Sequence, residues 1–219
     1  MNIKYIHQIE VTTRCNLACP YCPHPKMQRE KTDMNSSTFY RVMEWVKHFT
    51  KLGQQRELAF TGIGEALLHP YLFEMLEQAR QEYAGLIHFS TNGILFDDEA
   101  ARFCAEYQIG VFVSMHRPER AVPAKNLAKK YNVLLGENHA FVDSALDWAG
   151  TVNWHVSAPK SVCRYQQDGW GVVLVDGSIT TCCMDSEQVN KIGHVVDDIG
   201  TVDMHPMPLC KTCHLEILQ

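Results

Sequence analysis

The segment Cys15-Asn-Leu-Ala-Cys19-Pro-Tyr-Cys22 sets three thiols within one short stretch. Thiolates this close can wrap one face of a cubane iron–sulfur cluster. A cubane holds one more iron than three thiolates can ligate, and that iron stays open to bind and activate a small molecule. Zinc is the competing occupant, with His24 available as the fourth ligand of a structural site. Cys163, Cys182, Cys183, Cys210 and Cys213 form a second group, and Cys104 stands apart. Clustered cysteines in a reducing compartment are more often metal ligands than disulfides. Cys104 sits in the helical pattern AARFCAEY and reads as a small buried apolar residue.

Apolar β-rich runs alternate with helical patterns over most of the chain. Strands are expected at 5–13, 57–62, 86–93, 109–116, 132–137 and 151–157, and helices at 37–49, 70–83, 97–107, around 126–131 and at 144–150. Ser37 is the expected N-cap of the first helix, and Phe39, Val42, Met43 and Val46 form its apolar face. Pro70 falls in the first turn of the second helix. About six βα units favour a parallel sheet with helices outside. Six strands fall short of a closed eight-stranded barrel. The expected fold is therefore α/β, a partial, open TIM-like (β/α)6 barrel. The pattern changes near residue 158, where GVVLVDGSITTCC (171–183) reads as a β-hairpin turning at Asp176-Gly177. The expected division is a barrel over 1–158 and a small C-terminal extension over 159–219.

The C-x3-C-x2-C spacing, with the aromatic Tyr21 before the third cysteine, resembles the signature of the radical S-adenosylmethionine (SAM) superfamily. The resemblance implies that Cys15, Cys19 and Cys22 hold a [4Fe-4S] cluster whose open iron chelates the methionine portion of SAM. Reductive cleavage of SAM would then release a 5′-deoxyadenosyl radical that abstracts hydrogen from a substrate. Further along, Thr61-Gly62-Ile63-Gly64-Glu65 is similar to the family's glycine-glutamate stretch, with Ala66 in place of the common proline. Ser90-Thr91-Asn92-Gly93 resembles a frequent family turn, and Ser114 resembles the ribose-contacting serine. Tyr21, Gly62, Gly64, Glu65, Asn92 and Ser114 are thus the expected cofactor contacts. Each fragment follows the C-terminal end of a predicted parallel strand, where folds of this kind build active sites. His116, Glu137 and His155 lie at or near other strand ends and are candidate catalytic residues facing the substrate. Arg117 could hold a carboxylate by a forked contact.

The arrangement C-x13-G-x4-C…C-x2-C formed by Cys163, Gly177, Cys182, Cys210 and Cys213 resembles the twitch extension, a shortened SPASM domain. It implies an auxiliary [4Fe-4S] cluster on Cys163, Cys182, Cys210 and Cys213. Cys183 is an alternative to Cys182, and four thiolates also suit a structural zinc. A cubane saturated by four thiolates has no iron free for substrate, so electron transfer is its natural task.

The formal net charge of −5 and pI near 6.1 argue against a nonspecific nucleic-acid binder. The N-terminus lacks a cationic stretch followed by an apolar run, and no window approaches the ~20 apolar residues of a membrane span. A cytosolic enzyme is expected, served by an electron donor such as a flavodoxin or ferredoxin. The resemblance to twitch-bearing dehydrogenases points to two-electron oxidation of a small-molecule or nucleotide substrate. Isomerisation or bond formation on a nucleoside or peptide is the alternative outcome of the same radical. A non-catalytic metal-binding or electron-transfer module would leave the placement of Gly64, Glu65, Asn92 and Ser114 unexplained.

Overall fold

A computed structural model of the chain describes residues 2–115, 117–138, 148–149, 152, 163–202, 207–211 and 213. Five βα-type strands come first in the chain: β1 (Tyr5–Ile9), β2 (Leu58–Phe60), β3 (Ile87–Thr91), β4 (Gly110–Ser114) and β5 (Leu135–Asn138). Between them run α1 (Ser36–Lys51), α2 (Leu72–Glu82), α3 (Asp98–Glu106) and α4 (Pro118–Lys130). After α5 (Arg164–Asp168) come β6 (Trp170–Val173), β7 (Ser178–Thr180) and β8 (Gly193–His194). All eight strands join one open sheet in the order β5-β4-β3-β2-β1-β6-β7-β8. The first six in that order are parallel, and β7 and β8 are antiparallel additions.

The helices form for the reason their sequences suggest. Phe39, Val42, Met43 and Val46 of α1 are all buried, at the i, i+3, i+4 and i+7 spacing of one helix face. They pack in a single core with Phe60, Phe89, Val111 and Val113 of the strands. The cap differs from expectation. Asn35, not Ser37, is the N-cap: its Oδ1 accepts from the Thr38 amide at 2.8 Å and from the Ser37 hydroxyl at 2.6 Å. Asn35 has the extended backbone a cap needs, whereas Ser37 already lies within the helix. The second helix likewise starts two residues beyond Pro70, at Leu72.

The hairpin turns where expected. Gly177 takes φ +88°, and its amide donates to the Leu174 carbonyl at 2.9 Å. Its partner was not foreseen. β6 lies parallel to β1, with Tyr5 aligned to Trp170 and Ile9 to Val173. The segment read as a C-terminal extension therefore lengthens the barrel sheet beyond β1. The strand expected at 151–157 and the short helix at 144–150 fall largely outside the described residues. The β1–β6 register shifts between Ile6 and Gln8, a bulge that accommodates His7. The His7 ring stacks on Trp170 with centroids 3.6 Å apart.

Candidate active site

A cavity of about 330 Å3 opens at the C-terminal ends of the parallel strands. Cys15, Cys19 and Cys22 line it, together with Tyr21, Gly62, Gly64, Glu65, Asn92 and Ser114. Every cofactor contact expected from the sequence thus reaches one space. Strand alternation explains the placement: Phe89 and Val113 are fully buried in the core, while their neighbours Ser90 and Ser114 line the cavity.

The loop carrying the three cysteines is held from both sides. Thr12 Oγ1 donates to Asp33 Oδ1 at 2.6 Å, and Arg14 forks onto both Asp33 oxygens, Nε to Oδ1 at 3.0 Å and Nη2 to Oδ2 at 2.6 Å. Arg14 Nη2 also donates to the Leu68 carbonyl at 2.6 Å. Asn92 Nδ2 donates to Asn16 Oδ1 at 2.7 Å, tying the loop to the end of β3. His24, the fourth ligand of the zinc reading, does not line the cavity; its Nε2 donates to the Thr13 carbonyl at 2.9 Å. Among the described residues no three His, Cys, Asp or Glu side chains converge tightly enough for a single metal ion. The three thiols surround a space instead.

Their chemistry fits an iron centre in that space. Burial raises the Cys15 thiol and pushes Cys22 up to about 11. Such thiols give up their protons readily only to a positively charged partner, which an iron–sulfur cluster supplies. The glycines fit close backbone approach. A Cβ on Gly64 would lie 2.3 Å from the Thr12 carbonyl oxygen and 2.7 Å from that of Arg14. A Cβ on Gly62 would lie 2.6 Å from Glu10 Cγ.

Glu65 organises the turn. Its Oε1 accepts from the Thr91 hydroxyl at 2.8 Å and the Leu67 amide at 3.3 Å, and its Oε2 from the Asn92 amide at 2.7 Å. Burial raises its pKa, and these three donors oppose that shift.

Four of the remaining cysteines, Cys163, Cys182, Cys210 and Cys213, line a second, narrower cavity with Met207 and Leu209. Cys183 lines the first cavity instead, beside Tyr165. Consecutive residues leaving β7 thus open onto different cavities, Cys182 onto the second and Cys183 onto the first, while both sulfurs lie within electrostatic reach of Cys213. Tyr165 and Met184 line both cavities and form part of the wall between them. Cys104 is buried in the core as expected.

The catalytic candidates fare differently. His116 and His155 lie outside the described residues. Glu137 lines neither cavity; its Oε1 pairs with Lys125 Nζ of α4 at 2.7 Å. The register gives the reason. Glu137 is aligned with Val113, so it shares the helix-facing side of the sheet, opposite Ser114. Arg117 does reach the cavity.

Sequence reasoning passed over Gln8, Tyr165 and Met184, which also line the first cavity. It also passed over Glu10. Glu10 and Arg29 form a buried ion pair, with side-chain exposures of 3% and 8%. Glu10 accepts from the Ile63 and Val175 amides, each at 3.3 Å, and Arg29 donates to the Ser186 carbonyl at 3.2 Å. The available signal was Gln8 and Glu10 as polar residues two apart in a strand otherwise rich in buried apolar side chains.

The sequence profile of the Radical SAM superfamily matches residues 9–147, more than half of the chain. The chain is 28% identical over 153 residues to the tungsten-containing aldehyde ferredoxin oxidoreductase cofactor-modifying protein of Pyrococcus furiosus, covering 70% of this chain and 41% of that protein. It is 34% identical over 92 residues to the PqqA peptide cyclase of Gluconobacter oxydans, covering 41% of this chain and 24% of that protein. The chain thus spans less than half the length of these relatives. Its fold is similar to that of BtrN in complex with AdoMet and 2-DOIA, with a TM-score of 0.71 at 20% identity over 90% of this chain and 80% of that one. It is also similar to that of anSMEcpe with bound AdoMet, with a TM-score of 0.66 at 18% identity over 89% of this chain and 78% of that one.

Proposed function

The chain belongs to the radical SAM superfamily, and from that premise we propose that it oxidises a small-molecule substrate by two electrons with the help of a second iron–sulfur cluster. The observation that carries this reading is the pair of cavities sharing Tyr165 and Met184, one lined by Cys15, Cys19 and Cys22, the other by Cys163, Cys182, Cys210 and Cys213. When bound to the first three thiolates, a [4Fe-4S] cluster supplies the electron that splits SAM into methionine and a 5′-deoxyadenosyl radical. Gly62 and Gly64 let the turn pack against Glu10 and against the Thr12 and Arg14 carbonyls of the cysteine loop, and Glu65 fixes that turn beside the cavity. Asn92 and Ser114 offer hydrogen bonds on the neighbouring strand ends. With SAM bound, the substrate would lose one hydrogen atom to the 5′-deoxyadenosyl radical, then a proton to a base and an electron to a cluster held by Cys163, Cys182, Cys210 and Cys213, beyond the wall that Tyr165 helps form. Four thiolates suit an electron acceptor there. The electron for SAM cleavage comes from a one-electron donor such as a flavodoxin or ferredoxin.

Anaerobic reconstitution with iron and sulfide tests the reading. About eight irons per chain are expected if both sites hold cubanes, with 5′-deoxyadenosine released on reduction. Cys19→Ala should abolish SAM cleavage, and Cys210→Ala should spare cleavage while impairing substrate turnover. Equal loss of cleavage in the two variants refutes the division of labour. Bond formation by the same radical is the second reading, favoured by the similarity to a peptide cyclase. Both readings lose two hydrogens, so a product whose tandem mass spectrum places the loss in a new bond between two atoms, rather than in a double bond or carbonyl, would select it; a product of unchanged mass would mark isomerisation.

A further inference from the structure

The lining of the first cavity divides by strand. β2, β3 and β4, with the loops that follow them, carry Gly62, Gly64, Glu65, Asn92, Ser114 and Arg117. On the other side stands Gln8 of β1, next in the sheet to β6, with Tyr165 of α5 and Cys183 beyond β7. Gln8 is only 6% exposed, yet its carboxamide makes no hydrogen bond to any described residue. The fold does satisfy such groups elsewhere. The Gln55 carboxamide donates to the Ile6 carbonyl at 2.6 Å and accepts from the Ile6 amide at 3.3 Å, two residues before Gln8 on the same strand. Gln8 is instead turned into the cavity with both its donor and its acceptor open.

Charge narrows what can meet it. The charged side chains lining the cavity, apart from the cysteines, are Glu65 and Arg117. Glu65 is already bonded to Thr91, Asn92 and Leu67. Arg117 follows β4, three strands away from β1 in the sheet. Among the described side chains, neither β1 nor the segment after β7 presents a cation to the cavity. A carboxylate or phosphate beside Gln8 would lose its hydration there with no counter-charge among the described side chains of β1 or the segment after β7 to replace it.

We propose that Gln8 is a specificity-determining residue that binds the substrate through an uncharged group able both to donate and to accept a hydrogen bond, a hydroxyl or an amide. The Tyr165 ring supplies the apolar wall beside that group. The assignment rests on the radical SAM reading of the cavity and adds to it the chemistry of the substrate's bound end.

The test uses the reconstituted full chain with SAM, reductant and an anaerobic small-molecule extract of the cells that make the protein. The readout is extract-dependent 5′-deoxyadenosine, with SAM affinity measured separately by equilibrium dialysis. Gln8→Leu, Gln8→Glu and Gln8→Lys should each lower the extract-dependent rate by about tenfold or more, the loss of one well-placed hydrogen bond to a buried partner. SAM affinity should stay within about twofold if Gln8 binds the substrate rather than SAM. Retained or increased activity in Gln8→Glu or Gln8→Lys would show a charged substrate group and overturn the proposal. So would an unaffected Gln8→Leu or a parallel loss of SAM affinity. Failure of the parent reading looks different: the wild-type chain would release no 5′-deoxyadenosine under any condition.

Discussion

Arg29→Met should be the most damaging single substitution outside the cysteines. Arg29 reaches from the loop that follows the three cysteines and neutralises Glu10 at the end of β1. Methionine keeps much of the side-chain volume and removes the charge. Glu10 would then sit 97% buried with, among the described residues, only the Ile63 and Val175 amides, each at 3.3 Å, to solvate it. Stripping the partner from a buried ion costs about 3–5 kcal/mol, a large share of the about 5–15 kcal/mol that holds a typical domain together. The loss should also reach the cofactor site, because Ile63 lies between Gly62 and Gly64 and the lost ion pair is what holds the carboxylate under it. The assay is urea unfolding followed by tryptophan fluorescence, with SAM affinity measured alongside. The double variant Arg29→Met/Glu10→Gln carries no buried charge and should regain about 2 kcal/mol over Arg29→Met alone. A single variant within about 1 kcal/mol of wild type, or a double variant less stable than the single, would refute the electrostatic argument.

Gly64→Ala should cost at least about a hundredfold in SAM cleavage, because carbonyl oxygens at 2.3 and 2.7 Å force the loop to move by roughly 1 Å; a SAM-binding isotherm and a 5′-deoxyadenosine assay read it. Gly53→Ala, at φ +68° with nothing within 4 Å, should cost only about 1 kcal/mol of stability and leave cleavage intact. Acidification should destabilise the chain between pH 6.5 and about 4 through His7, whose pKa burial lowers from 6.5 to about 4. The sign follows because the unfolded state takes up the proton first: the contribution is whole above 6.5 and is lost as pH falls towards 4. The ceiling is about 3 kcal/mol, and His7→Gln should flatten that part of a pH series of urea midpoints. Removing iron with a chelator should leave the Cys104 thiol slow to react, since burial pushes it up to about 12, whereas the thiols lining the two cavities become labelled by a maleimide.

What the sequence disclosed was local and periodic. The α1 face, the Gly177 turn and the strand ends that present Cys15, Gly64, Asn92 and Ser114 all follow from spacing a few residues long. What it concealed was pairing at long range. Nothing near Trp170 in the chain announces that it will align with Tyr5, because a parallel pair carries no turn signal of its own. Glu137 was misjudged by one position: a strand end marks the rim of a barrel, but only the register tells which of two successive residues faces in. Gln8 and Glu10 were overlooked because polar residues in a buried strand declare a requirement without naming the partner. For Glu10 the partner is an arginine nineteen residues on. For Gln8 no described residue fills that role.

β1 is the element on which both cysteine groups converge. It pairs with β2 on one edge and β6 on the other, and the two pairings carry the two halves of the site. The first cysteine loop leaves its C-terminal end. The second group is reached through β6 and β7, whose register against β1 is set by the shift at His7. Because side chains alternate along a strand, a slip of one residue at that bulge would turn the face of β6 relative to β1. The Glu10 carboxylate, bonded to the Ile63 amide on one side and the Val175 amide on the other, fixes that same register one step further along. Arg29 then closes the frame from the cysteine loop to the Ser186 carbonyl. The separation of the two cavities is therefore held by strand register and one buried ion pair, and Tyr165 and Met184 occupy the space these leave between them.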